Sequence, residues 1–143
     1  MNHMTRNDII AEAASWLGTP YHHRASLKGV GCDCLGLVRG IYRALYGPEP
    51  REVPAYPQYN DGSESERLIA GLEEHLLLTL PPGKPGDVLV FRLRAGFPAR
   101  HCAVLVEPKC FIHAVSGRSV SLVALFEWWV KRIAGVFGFP QVE

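Results

Sequence analysis

One change of hydrophobic period, at Pro85-Gly86, divides this chain and limits the folds open to it. Before it, apolar residues recur at helical spacing; after it they run in short β-rich strings. Thr5 or Asn7 can cap a first helix over Asp8–Leu17, whose stripe is Ile9, Ile10, Ala13, Ala14, Trp16 and Leu17. Gly18-Thr19-Pro20 stops that helix, because glycine ends helices well and proline cannot continue one. A glycine-punctuated loop from Tyr21 to Gly31 follows. Asp33 then caps a second helix from Cys34 to about Leu45, closed by Gly47-Pro48. Ser63-Glu64-Ser65-Glu66 opens a third helix carrying Leu68, Ile69, Leu72, Leu76 and Leu77. Strands are predicted over Asp87–Phe91, His101–Val106, Cys110–Val115 and Ser119–Val123. A helical turn around Leu125–Val130 precedes a last strand near Ala134–Phe139. Helices first and strands second give an α+β fold, with N-terminal helices packed on a C-terminal antiparallel sheet.

With 143 residues, 48% of them apolar, the chain reads as a single domain over 1–143. A chain of this size buries about two-thirds of its unfolded surface, so it needs neither disulfides nor metal as staples. Its apolar content excludes intrinsic disorder. Membrane insertion is not expected, because no run approaches the roughly 20 apolar residues of a span; Leu76–Leu80 is broken by Pro81 and Pro82. Residues 48–63, with four prolines among tyrosines, read as an ordered surface loop anchored by Val53, Tyr56 and Tyr59. Fifteen Lys and Arg against 14 Asp and Glu leave a net charge of +1, and no basic stripe points to nucleic acid. The first residues run straight into a helix with no signal-peptide pattern, so the expectation is a protein made in the cytoplasm.

The chemistry gathers around cysteine and histidine. A nucleophilic cysteine must be a thiolate, and the first turn of a helix lowers the ordinary thiol pKa of about 8.5. Cys34 occupies that place, just after the Asp33 cap. Gly36 nearby permits close approach of a backbone or a substrate. Cys32 lies in the loop, and Cys102 and Cys110 lie within strands where burial keeps a thiol inert. Any one of these cysteines could simply be a small buried hydrophobe. Structural zinc on Cys32, Cys34 and two histidines is a further alternative, although a one-residue gap is short for a zinc knuckle.

A cysteine nucleophile needs a base and a group that orients the base. His101 and His113 stand on consecutive strands joined near Glu107-Pro108-Lys109. If those three residues form the hairpin loop, Ala103 faces His113 and the two histidines share one sheet face as diagonal neighbours, roughly 7–8 Å apart at Cα. A four-residue loop would put them on opposite faces. Spacing alone leaves them open to being two separate core or edge histidines. His3 falls in the terminus, His75 on a helix face, and His22 and His23 in the loop, where they are either solvated or line a groove.

At these residues the sequence resembles the NlpC family of bacterial cell-wall cysteine peptidases, compact relatives of the papain fold. Leu17-Gly18-Thr19-Pro20-Tyr21 resembles the family's opening motif and Asp33-Cys34-Leu35-Gly36-Leu37-Val38 its nucleophile motif. Pro85–Phe91 resembles its run into the sheet. His101-Cys102-Ala103-Val104 and Phe111-Ile112-His113-Ala114 resemble its base-bearing and third-member strands. The five strings occur in the family's order and cover almost the whole chain. Residues 21–31 and Ala134–Pro140 are most similar to the branch found in phages and gene-transfer particles.

By resemblance, Cys34 is the nucleophile, His101 the general base and His113 the residue that orients His101. Tyr21 offers its hydroxyl to the oxyanion, beside the Cys34 backbone N–H. Asp33 is either a substrate-binding residue, contacting the free amine of a stem peptide, or a plain helix cap. Tyr21 could otherwise be an amphipathic surface tyrosine. Leu35 departs from the family's usual serine, so a substrate hydrogen bond from that side chain is not expected; Cys102 carries no assigned role. The resemblance implies a cysteine endopeptidase cutting the stem peptide of bacterial peptidoglycan between D-γ-glutamyl and the diamino acid. It implies no metal and no organic cofactor. It further implies delivery to the cell wall by a phage tail or phage-like particle, with tail-tip proteins as partners. The alternatives are an amidase or acyl transferase on the same fold, and a non-catalytic tail-tip component.

Overall fold

The computed structural model describes residues 4–56 and 66–143. Helix α1 spans Arg6–Ala14 and is capped by Thr5, not Asn7. The Asp8 N–H donates to Thr5 Oγ1 at 3.2 Å, and the Thr5 N–H donates back to Asp8 Oδ2 at 3.0 Å. This reciprocal pair satisfies two end amides at once. Ile9, Ala13 and Trp16 are buried on the face toward the rest of the protein. The helix stops short of Leu17, which is exposed, and the chain bends at Gly18 with φ +87°.

The glycine-punctuated loop is more ordered than its sequence implied. Strands β1 (Ser26–Leu27) and β2 (Gly31–Cys32) form a small antiparallel ribbon that leads directly into Asp33 and α2 (Cys34–Tyr46). The two helices approach closely at Gly40, where a Cβ would come within 2.1 Å of the Trp16 ring.

Helix α3 covers Arg67–Glu73, and its expected opening at Ser63–Ser65 lies outside the described residues, as does Tyr59. Leu76 and Leu77 do not continue it. Instead Leu77–Thr79 forms β3, paired with the last strand of the sheet. The leucine spacing fits a helix, but an unpaired sheet edge nearby offers three residues a ladder, and tertiary pairing overrides local preference.

The remaining elements are β4 (Val88–Phe91), β5 (His101–Glu107), β6 (Cys110–His113), β7 (Ser121–Ala124), α4 (Glu127–Val130) and β8 (Ile133–Gly138). They form one six-stranded sheet in the order β3-β8-β4-β5-β6-β7, antiparallel at every junction. The arrangement is the expected α+β one. Strand alternation sorts the core in two. Val88, Val90, Cys102, Val104 and Ile112 pack toward α1 and α2, whereas Leu89, Phe91, Ala103, Leu105 and Phe111 face Trp129, Val123 and Ile133 on the other side.

The β5–β6 hairpin reaches the predicted register by a different route. Glu107 pairs with Cys110, so the turn holds only Pro108 and Lys109. A register shift between Leu105 and Glu107 then takes up one residue, and Leu105 pairs with Phe111 and Val104 with Ile112. A two-residue turn plus a bulge thus equals the three-residue loop, and the histidines keep a common face.

One carboxylate anchors the proline-rich loop. Glu49 accepts from Arg39 Nε at 2.7 Å, Arg43 Nη1 at 3.0 Å and His75 Nε2 at 2.8 Å. It therefore ties the loop to α2 and to the residues after α3. His75 is buried in this contact rather than presented on a helix face. Burial alone would raise the Glu49 pKa, but the Arg39, His75 and Arg43 hydrogen bonds outweigh it and pull it down to about 2. A depressed carboxylate pKa stabilises the fold above its unfolded value and loses that contribution as pH falls. Glu49→Gln is accordingly expected to lower stability at pH 7 by roughly 2 kcal/mol. Urea unfolding should show the gap between variant and parent closing from about pH 4.5 toward about pH 2.

Candidate active site

Cys34 is the first residue of α2, and the cap that starts the helix fixes it. Asp33 is buried, and its Oδ1 accepts from the Gly36 N–H at 2.7 Å. Its Oδ2 accepts from the Arg24 N–H at 2.7 Å and from the Tyr56 hydroxyl. The Ala25 carbonyl packs directly on Gly36, where a Cβ would lie only 1.9 Å from that oxygen. The close approach that Gly36 permits is therefore to a backbone of this chain. Ala25 also accepts from the Asp33 N–H at 3.2 Å, which locks the loop against the helix start.

Cys34 is half-buried as a residue, and its thiol lies within hydrogen-bonding reach of the Cys102 thiol and the His101 imidazole. The Cys102 hydrogen bond, aided by the bond and charge of His101, outweighs burial and lowers the Cys34 pKa to about 5. Cys102 moves the other way: its bond to Cys34 and its complete burial raise it, so it keeps its proton and donates S–H to the Cys34 sulfur. Cys32 is buried in β2, and burial with the neighbouring Asp33 and Cys34 charges pushes it up to about 12. Of these three thiols, Cys34 alone is poised as a thiolate near neutrality. Cys110 lies half-buried in β6.

The structure brings His101 and His113 together, with His101 Nε2 2.8 Å from His113 Nδ1. Burial, then the neighbouring His101 and Arg118 charges, lower the His113 pKa to about 4, so it is neutral near pH 7. A neutral imidazole accepts on one nitrogen. With His113 Nδ1 accepting from His101 Nε2–H, His101 Nδ1 remains to face Cys34. Thiolate, imidazole and orienting group then form a series able to attack a carbonyl carbon and return a proton to a leaving group.

A groove of about 350 Å³ opens at Cys34. Tyr21 lines it beside Asp33, and a backbone bridge from Tyr21 to Cys32 fixes its position. His23 lines the same groove, with its Nε2 2.8 Å from the Tyr56 carbonyl oxygen, whereas His22 is exposed. Leu35 is buried against Gly71 of α3, which makes that wall apolar. Val53 and Tyr56 from the proline-rich loop complete the wall opposite. Among the described residues no three His, Cys, Asp or Glu side chains are grouped to hold a metal ion, and His3 lies outside them.

Sequence reasoning missed two contributors. Tyr56 stands 23 residues from Asp33 and meets it only through the loop's path, which no local pattern encodes. Cys102 had a signal: strand alternation turns the residue after His101 toward the helices, and α2 begins with Cys34.

No family model matches the chain. It is 24% identical over 136 residues to the gamma-DL-glutamyl hydrolase of Bacillus subtilis (strain 168), covering 94% of this chain but only 29% of that protein. Among solved structures, the NlpC/p60 domain of the peptidoglycan hydrolase SagA aligns with a TM-score of 0.66 at 22% identity, over 95% of this chain and 100% of that one. An NlpC/p60 family protein from Bacillus cereus ATCC 10987 aligns with a TM-score of 0.71 at 20% identity, over 96% of this chain and 41% of that one.

Alkylation of Cys34 by iodoacetamide, followed by mass spectrometry of its peptide, measures the thiolate directly. A lowered pKa keeps the thiolate at pH 6 and loses it as pH falls through about 5. His101→Ala and Cys102→Ala are each expected to move the midpoint up toward the free-thiol value of about 8.5, with Cys102→Ser moving it less. An unmoved midpoint in folded Cys102→Ala would remove Cys102 from the account.

Helices with a helix-start thiol on one face of an antiparallel sheet, and a histidine pair at the strand ends, make this chain an NlpC/p60 fold of the papain-like kind.

Proposed function

We propose that this chain is a cysteine endopeptidase of the NlpC/p60 family that hydrolyses the stem peptide of bacterial peptidoglycan. The observation that carries the reading is the arrangement at Cys34: a depressed thiol at a helix start, next to His101, whose far nitrogen is held by His113. Such a constellation suits acyl transfer through a thioester. The relatives' names point the same way. The Bacillus subtilis protein is named for hydrolysis of glutamyl bonds, and SagA for hydrolysis of peptidoglycan. The proposed bond joins D-γ-glutamyl to the diamino acid.

In this mechanism the Cys34 thiolate, its proton held by His101, attacks the amide carbon. The negative charge that moves to the carbonyl oxygen is met by the Tyr21 hydroxyl and the Cys34 backbone N–H. The capping Asp33 already engages the Gly36 amide, and the Asp33 carbonyl accepts from Leu37, which leaves the Cys34 and Leu35 amides as the ones that begin the turn. His101 gives its proton to the leaving amine as the C–N bond breaks, and a thioester remains. His101 then takes a proton from water, which attacks the thioester carbon and releases the acid and the thiolate. His113 stays neutral throughout and accepts a hydrogen bond from the Nε2–H of His101. Asp33, with Tyr56 on its outer oxygen, forms the anionic wall toward which a substrate's free amine would be drawn. Delivery on a phage tail or phage-like particle, with tail-tip proteins as partners, belongs to the same proposal. It is supported by the resemblance of residues 21–31 and Ala134–Pro140.

Incubation with purified muropeptides, followed by mass spectrometry, tests the reading. Fragments split between glutamyl and diamino acid are expected with the parent and absent with Cys34→Ala. His113→Ala should retain Cys34 and lose on the order of 10²-fold or more in kcat/KM. No cleavage of any stem-peptide type by folded protein would transfer the case to acyl transfer or a structural role.

A further inference from the structure

The mechanism above leaves one large side chain on the histidine pair without a task. Trp129 belongs to α4, the short helix between β7 and β8, and its half-buried indole lies against both imidazoles. Its ring centroid is 5.7 Å from that of His113, edge-on, and 6.0 Å from that of His101. The same indole packs at 4.9 Å on Phe91 and 5.1 Å on Phe111. Phe91 in turn stacks on His101 at 6.1 Å, and Phe111 meets His113 edge-on at 4.9 Å. Three aromatic rings therefore box in the two histidines on the sheet face away from α1 and α2.

We propose that Trp129 is a positioning residue for the reaction, its indole holding the His101–His113 pair in orientation and shielding His113 from water. The inference rests on the peptidase reading for its consequence in catalysis, but not for its geometry. Two physical effects carry it. First, the thiolate–imidazolium pair needs His101 protonated on both nitrogens, and the Nε2 proton then requires an acceptor. His113 supplies one only while neutral, because a protonated imidazole donates from both nitrogens. Water at His113 would stabilise its charged form, and an indole in that place does not. Second, the indole lies 6.0 Å from the His101 ring at a tilt of 39°, so it packs on the base beside Cys34 and limits how far that ring can turn.

The charges around His113 leave this role to the ring. From β5 it faces His101, and from the turn after β6 the Arg118 charge reaches it; both oppose its protonation. Ser121 is its partner on β7. On α4, Glu127 and Lys131 pair with each other in solvent, and Arg132 lies over Trp128 rather than over Trp129. The one carboxylate among these, Glu127, is turned to Lys131 in solvent, and the charges that act on His113 are those of His101 and Arg118.

The test compares Trp129→Ala, Trp129→Leu and Trp129→Phe, each checked for folding by circular dichroism. Two readings need no substrate: the pH midpoint of Cys34 alkylation, and the titration of His113 by ¹⁵N NMR. Trp129→Ala is expected to raise the alkylation midpoint by about one pH unit or more and to move His113 up toward the ordinary value of about 6.5. Trp129→Phe should restore most of both shifts. A role confined to fold stability would lower the melting temperature and leave both titrations in place, and that result in folded Trp129→Ala overturns the proposal. If Trp129→Ala does not fold, Trp129→Leu keeps the volume without the flat ring. It must then show a raised alkylation midpoint that Trp129→Phe restores, and a parental midpoint there overturns the proposal. Because neither titration involves peptidoglycan, failure of the muropeptide assay and failure of this inference are separable.

Discussion

Everything at the groove depends on how Asp33 is spent. A helix start leaves amides without partners, and most proteins answer with one side-chain cap. Here the cap is also a junction. One oxygen holds the Gly36 amide, and the other gathers the Arg24 amide and the Tyr56 hydroxyl. The same carboxylate therefore starts the helix, closes the glycine loop and fixes the proline-rich segment. Its negative charge works against the Cys34 thiolate next to it, and the site tolerates this because Cys102 and His101 supply the stronger, opposite effect.

The parts of the fold that could be read from sequence are those where chemistry and spacing act locally. The Asp33 cap, the helix from Cys34 and the strands on either side of Pro108 follow from propensity and turn residues. The pairing of His101 with His113 was also accessible, since register turns on a short connection. That connection nonetheless has two solutions. A bulge after Leu105 makes a two-residue turn equivalent to a three-residue loop, and nothing in Val106-Glu107 distinguishes the two.

What escaped the sequence depends on distant partners. Leu77–Thr79 carries a helical pattern and becomes a strand because β8 lies beside it. Tyr56 reaches Asp33, and His75 reaches Glu49, only after loops of no regular period have found their paths. Trp129 sits in a four-residue helix with no side-chain cap, too short to announce which face is covered. In each case the decisive energy is burial or pairing between segments, and that is invisible to a reading taken along the chain.

The contact between Gly36 and the Ala25 carbonyl has a consequence for how such a site can diversify. With no room for a methyl group between helix and loop, Ala25 and the first turn of α2 are packed backbone on backbone. A displacement of the Ala25 carbonyl cannot be absorbed as slack; it would be transmitted to the helix start that carries the thiol. Variation in the groove's lining is therefore channelled elsewhere, to Val53 and the α3 wall, where side chains can change without touching the Asp33 junction. The molecule separates a part that must stay fixed from a part free to drift, and the boundary between them is one missing carbon atom.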